Sequence, residues 1–184
     1  MAKQRKQKRD TQESNLLEKT IYINRVAKVV KGGRRFNFTA MVVAGDQEGK
    51  VGVGFGKANQ VPDAIRKAQE KARTSMISAP IQEGTIPHNV IGKYGATKII
   101  FRPAAPGTGV IASSRVRAIL DAAGYNNVLT KVIGSNNPHN VVRATLNALE
   151  KLESPQQYAT RVGKSIDDVM KHSTVGAHVW KSRS

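Results

Sequence analysis

The sequence predicts an α+β fold built from two small units, β-β-β-α followed by β-β-α-β-α. Three observations carry that prediction. Val, Ile, Thr and Tyr cluster in short runs between glycine-rich turns over residues 20–55. A helical apolar period follows at 62–76. The second half then mixes strand and helix patterns in a different order, with no internal repeat. At 184 residues and 39% hydrophobic content, the chain has material for a real core. Only 5% is aromatic, so that core must be aliphatic.

Thr20–Val30 (TIYINRVAKVV), Phe36–Ala44 (FNFTAMVVA) and Lys50–Phe55 (KVGVGF) read as three strands. Lys31-Gly32-Gly33-Arg34 joins the first two, and a Gly-Gly pair is a strong hairpin signal. Gly45–Gly49 joins the second and third, giving an antiparallel meander. Pro62 suits a first helical turn, and Ile65, Ala68, Ala72 and Met76 then mark one apolar face. This first domain is expected over 15–80. Pro80, Gly84, Pro87, Gly92 and Gly95 mark the boundary, with a short strand inside it.

The second domain is expected over 81–153. Thr97–Phe101 is a strand and Pro103–Gly109 a loop. Val116, Ile119, Leu120 and Ala123 mark a helix that Gly124 stops. Asn127–Ile133 is a strand. Asn137-Pro138 caps and opens a helix with Val142, Leu146 and Leu149 on its apolar face. Capping-box spacings at Ser154/Gln157 and Ser165/Asp168 predict two short helices over 154–172. Residues 1–14, with Lys3, Arg5, Lys6, Lys8 and Arg9, read as a basic tail that is disordered when free, and 173–184 as a second tail.

Charge sets the function class. Thirty Lys and Arg against thirteen Asp and Glu leave +17. A compact chain of that imbalance repels itself unless a polyanion neutralises it, and nucleic acid is the first candidate. The absence of cysteine excludes disulfides, thiolate nucleophiles and Cys-based zinc sites. The N-terminus lacks an apolar signal region, and no apolar run approaches a membrane span, so a soluble intracellular chain is expected.

The densest charge lies at the hairpin. Arg25, Lys28, Lys31, Arg34 and Arg35 stand within eleven residues that hold no acid. A solvated hairpin tip can carry two or three cations; five around Gly32-Gly33 point to a finger that reaches into a groove or between phosphates. Lys57, Arg66, Lys67, Arg102, Arg115, Arg117, Lys131 and Arg143 form a second group of candidates. Gly107-Thr108-Gly109 ahead of a helix start admits two readings, an anion site or an ordinary loop with its N-cap.

Other motifs fail on spacing. VGVGFGKA at 51–58 lacks the first glycine and the Ser or Thr of a phosphate loop, and the last glycine of a dinucleotide fingerprint. It reads as a strand approached closely by another backbone, RNA among the candidates. His88, His139, His172 and His178 form no metal pattern, and Asp167, Asp168 and His172 fit helix-dipole placement. No nucleophile elbow or carboxylate pair stands out, so neither an enzyme nor a cofactor is expected.

Several linked stretches resemble the bacterial small-subunit ribosomal protein S-five family: NRVAKVVKGGRRFNFTAMVVAGD, GKVGVGFGKANQVPDAIRKAQEKA, GTIPHNV, RPAAPGTGVIA, RAIL and GSNNPHNVVRAT. The resemblance covers roughly residues 15–170. It implies a first domain like the double-stranded-RNA-binding fold and a structural, non-enzymatic role on small-subunit ribosomal RNA, in the cytoplasm. It implies contacts with the neighbouring ribosomal proteins numbered four and eight, a place near messenger RNA entry, and influence on decoding accuracy and assembly. It places the hairpin, here Lys28–Arg35, against ribosomal RNA. Ser113-Ser114-Arg115 departs from the small neutral residues of many relatives. The competing class is an RNA-binding chaperone outside the ribosome; a nucleotide-dependent enzyme is the third.

Overall fold

The structure, a computed structural model, describes residues 16–166 and 168. The expected tails at 1–14 and 173–184, Asp167, His172 and His178 lie outside the described residues. The first unit runs β1 (Leu17–Val30), β2 (Gly33–Gly45), β3 (Lys50–Ala58), α1 (Val61–Thr74) and β4 (Met76–Ser78). Its sheet has the order β1-β2-β3-β4, antiparallel throughout. The second unit runs β5 (Val90–Tyr94), β6 (Thr97–Pro103), β7 (Val110–Ile111), α2 (Ser114–Ala123), β8 (Val128–Gly134) and α3 (Pro138–Glu150). Its sheet has the order β5-β6-β8-β7, with β7 parallel to β8. A last helix, α4 (Pro155–Val162), follows.

The α+β class and the three-stranded meander hold. Two short strands were not expected. Met76 fits the apolar face expected for the helix, but α1 ends at Thr74 and Met76 pairs with Gly52 in β4. The reason is local. Hydroxyl side chains here bond the backbone in place of continuing the helix. Thr74 donates to the Glu70 carbonyl, and Ser75 donates to the carbonyls of Lys71 (2.8 Å) and Val53 (3.2 Å). The chain therefore folds back onto β3, and the first unit is β-β-β-α-β. In the second, the two-residue β7 lies within the stretch read as the approach to a helix, too short for a period-2 pattern.

The caps follow the expected chemistry. Asn137 accepts from the His139 N–H at 3.1 Å, and Gly124 ends α2 in the left-handed region at φ 94°. Ser154 and Gln157 close both bonds of a capping box. The Asp168 N–H donates to Ser165 Oγ at 3.2 Å.

The first sheet is packed on both faces. Ala40 and Val42 meet Ala64 and Ala68 of α1. Met41, Val43, Val51 and Val53 point the other way and join Ile99, Phe101, Val116, Ile119 and Leu149 of the second unit in one core. The spacing of α1 explains the glycines of β3. Gly52, Gly54 and Gly56 alternate onto the α1 face, where a Cβ would fall on the carbonyl oxygens of Ala72, Ala68 and Ala64. The backbone approaching this strand is that of α1.

The units are joined by backbone contacts. The β2–β3 turn docks on the end of α2, with Gln47 N–H donating to Ala122 O (3.1 Å) and Gly49 N–H to Ala123 O (2.9 Å). Ala79 N–H donates to Gly49 O at 2.8 Å. The Tyr125 hydroxyl, on a ring only 1% exposed, donates to Pro80 O at 3.0 Å. Burial pushes its phenol well above the ordinary tyrosine range.

Three substitutions test this packing. Gly54→Ala should destabilise the fold by ~3 kcal/mol, because backbone must move to admit the methyl group. Gly32→Ala, where a Cβ meets nothing within 4 Å, should stay within ~0.5 kcal/mol in urea unfolding. Tyr125 contributes to stability while it stays protonated. Above the unfolded-state value of ~10 the unfolded chain binds fewer protons than the folded one, so stability falls as pH rises. Tyr125→Phe should lose ~1 kcal/mol at neutral pH and flatten that alkaline decline in unfolding measured from pH ~9 to ~11.

Candidate nucleic-acid interface

β1 and β2 outrun the rest of their sheet. The last row that includes β3 is Arg25–Phe38–Ala58. Beyond it Val26/Asn37, Ala27/Phe36, Lys28/Arg35, Val29/Arg34 and Val30/Gly33 continue as a two-stranded ribbon. At ~3.3 Å per residue it projects roughly 17 Å. Lys31-Gly32 forms the turn, and Gly33 carries the positive φ, 130°. Nothing lies within 4 Å of where either glycine's Cβ would be, so the tip is slim.

Directly opposed residues share a side of a ribbon, and sides alternate along each strand. That rule sorts the five cations. Lys28 and Arg35 share one side with Val26/Asn37 and Asn24/Thr39. Lys57 pairs with Thr39 and extends that side onto the three-stranded sheet. Arg25 and Arg34 stand on the opposite side, beside Phe36 and Val29, which is 75% exposed. Arg25 lies over the Phe36 ring at 4.5 Å from its centroid, which orders the ribbon. Lys31 sits at the tip. Among the described residues, no carboxylate lies within ion-pair distance of any of the five.

The second group of cations does not assemble into one patch. Arg66 pairs with Asp63 at 3.8 Å on the exposed surface of α1, where Lys67 is also exposed. Arg102 and Lys131 lie on the outer face of the second sheet, near exposed Ile91, Ile111 and Ile133. Arg117 is exposed on α2. Arg115 is half-buried; its guanidinium donates to Asn136 Oδ1 at 3.1 Å and lies 6.0 Å from the Tyr22 ring centroid. Arg143 lies over the Phe55 ring at 5.3 Å.

The Gly107-Thr108-Gly109 loop is satisfied internally. Asn127 Oδ1 accepts from both Gly107 and Gly109 N–H at 3.0 Å, and Ala105 O accepts from Thr108 N–H at 3.1 Å. The backbone donors that would cradle an anion are engaged, which favours the reading as an ordinary loop. The N-cap Ser113 makes no side-chain cap bond, and its buried hydroxyl has no partner among the described residues.

A cleft of about 410 Å³ opens at the root of the ribbon, between the two units. Tyr22, Asn24, Thr39 and Met41 reach it from β1 and β2, and Phe55 and Lys57 from β3. Lys71 comes from α1, and Asn137 to His139 from the start of α3. The Phe55 and His139 rings meet at 4.5 Å between centroids, and Tyr94 stands 6.3 Å from His139. Sequence reading missed this constellation. Phe55 and His139 lie in different units, and no spacing along the chain announces their contact.

The family model for the N-terminal domain of ribosomal protein S5 matches residues 16–80, and that for its C-terminal domain matches residues 92–162. The small ribosomal subunit protein uS5 of Syntrophobacter fumaroxidans is 51% identical over 160 residues, 87% of this chain and 96% of that protein. Its counterpart in Phenylobacterium zucineum is 49% identical over 174 residues, 94% of this chain and 89% of that protein. In Lawsonia intracellularis the identity is 52% over 155 residues, 84% and 95%. On both domains and at this identity, the chain belongs to the ribosomal protein S5 family.

Proposed function

We propose that this chain is a structural, non-enzymatic constituent of the small ribosomal subunit in the cytoplasm and binds ribosomal RNA through its ribbon. The observation that carries this reading is a cation set on a slim projection with no ion-pair partner among the described residues, in a chain of net charge +17. Lys28, Arg35 and Lys57 face one way and take phosphates along one track, with Lys31 at the tip. Arg25 and Arg34 serve the opposite side. Gly32 and Gly33 keep the tip narrow enough to pass between backbones. Most contacts are to phosphate and sugar, because side chains cannot read the deep groove of A-form RNA.

The relatives' names support membership of the small subunit. The family resemblance extends this to the neighbouring proteins numbered four and eight, to messenger RNA near its entry, and to accuracy and assembly. The outer face of the second sheet, with Ile91, Ile111 and Ile133 exposed among Lys93, Lys98, Arg102 and Lys131, supports contact with such neighbours. Arg66, Lys67, Arg117 and Arg143 remain further RNA contacts in this reading. Arg115 is tied to Asn136 within the second unit and faces the Tyr22 ring of the first, which leaves it the weakest RNA contact of the group.

Lys28→Ala with Arg35→Ala should weaken binding to small-subunit ribosomal RNA. It should also lower the log–log salt slope by about 1.4–1.8, at ~0.7–0.9 per lost phosphate contact. Adding Lys31→Ala should remove a further ~0.7–0.9. An unchanged slope would take this side of the ribbon out of the interface. Co-sedimentation of the chain with small subunits in high salt separates a ribosomal constituent from a free RNA chaperone.

A further inference from the structure

We infer that the cleft at the root of the ribbon is a second RNA site, which takes one unstacked nucleotide of the strand tracked by the ribbon. The inference rests on the RNA reading above and adds a base-binding pocket to it. The row Tyr22–Met41–Phe55 lies on the same side of the sheet as Lys28/Arg35, and Asn24–Thr39–Lys57 lies between them. From Lys28 to Asn24 is four residues, roughly 13 Å. One uninterrupted surface therefore runs from the phosphate-facing side of the ribbon into the cleft.

The cleft has the chemistry of a nucleotide site. Its volume, about 410 Å³, is within the usual range of ~300–1,000 Å³ for pockets that hold small ligands. Phe55, Tyr22 and exposed His139 supply ring surface for a base. Lys57 and Lys71 stand exposed at its margin for the flanking phosphates, and none of its lining residues carries a carboxylate. Asn137 Oδ1 is held by the His139 N–H, which leaves its amide NH₂ to donate to a base edge. A paired base has its faces covered by its neighbours and cannot use the rings, so the site selects an unstacked nucleotide in a loop, bulge or end. A peptide would have to find its own anions to match two lysines; every nucleotide brings one.

The test uses the full chain and a short single-stranded RNA carrying 4-thiouridine, photocrosslinked and mapped by mass spectrometry. Adducts are expected at Tyr22, Phe55 or His139. His139→Ala, a surface change outside the ribbon's phosphate track, should keep the melting curve and weaken binding of this RNA about tenfold, as loss of one stacked base requires. A fully paired duplex of the same sequence should bind the ribbon without crosslinking to the cleft rings. Adducts confined to the ribbon, unchanged affinity in the His139→Ala variant, or equal crosslinking from the duplex would overturn the cleft site and leave the ribbon reading intact. Failure of the unaltered chain to bind any RNA would sink the reading beneath it instead.

Discussion

The structure turns on the closeness of α1 to β3. Three glycines at alternate positions let the carbonyls of Ala64, Ala68 and Ala72 settle onto the strand where side chains would otherwise stand. Alanine is the matching choice on the helix, since anything larger would lift it away. With one face of the sheet closed by so thin a layer, Val51, Val53 and Phe55 are committed to the opposite face. The second unit packs there, and the cleft forms where that packing runs out. A pattern that resembled a phosphate loop is thus a spacing device, and its influence on function is indirect.

Electrostatics imposes the complementary condition. The described ion pairs are few: Lys19–Asp121, Arg66–Asp63, Arg73–Glu18 and Arg161–Glu153. Glu18 ties β1 to α1 at 2.7 Å from Arg73, at the end of β1 opposite the ribbon. The scarce acids thus serve the folded body, and among the described residues the ribbon's charge is left with no ion-pair partner. Free, that concentration is a source of self-repulsion; beside a polyanion it becomes the driving force for association.

Much of this was legible in the chain itself, and the reasons differ by element. β1, β2 and their turn declare themselves through β-branched residues and a Gly-Gly pair, because the signal is local. Asn137, Ser154 and Gly124 are equally local, since a cap needs only its own few residues. Met76 fits the helical period, but the hydroxyls of Thr74 and Ser75 just before it bond the carbonyls of Glu70 and Lys71 one turn back and override the period. β7 is two residues long and gains its meaning from β8, seventeen residues further on. The hairpin cations were visible as a group, but their division into two sides needs the register. The pairing of Phe55 with His139 is a product of the interface between units and has no trace in either unit alone.

The docking of the β2–β3 turn onto α2 has a consequence for how the chain divides. Sequence families split it into two segments, near residue 80 and again near 92. Yet Met41, Val43, Val51 and Val53 complete their core with residues from beyond that boundary. The hydrogen bonds from the β2–β3 turn to α2 join main chain to main chain, and the Tyr125 hydroxyl adds one to Pro80 O. The two segments are therefore inheritable as separate modules but are not interchangeable parts. A first segment grafted onto a different partner would carry a bare aliphatic sheet, and its new neighbour would have to present the blunt, carbonyl-rich end of a helix at the same place.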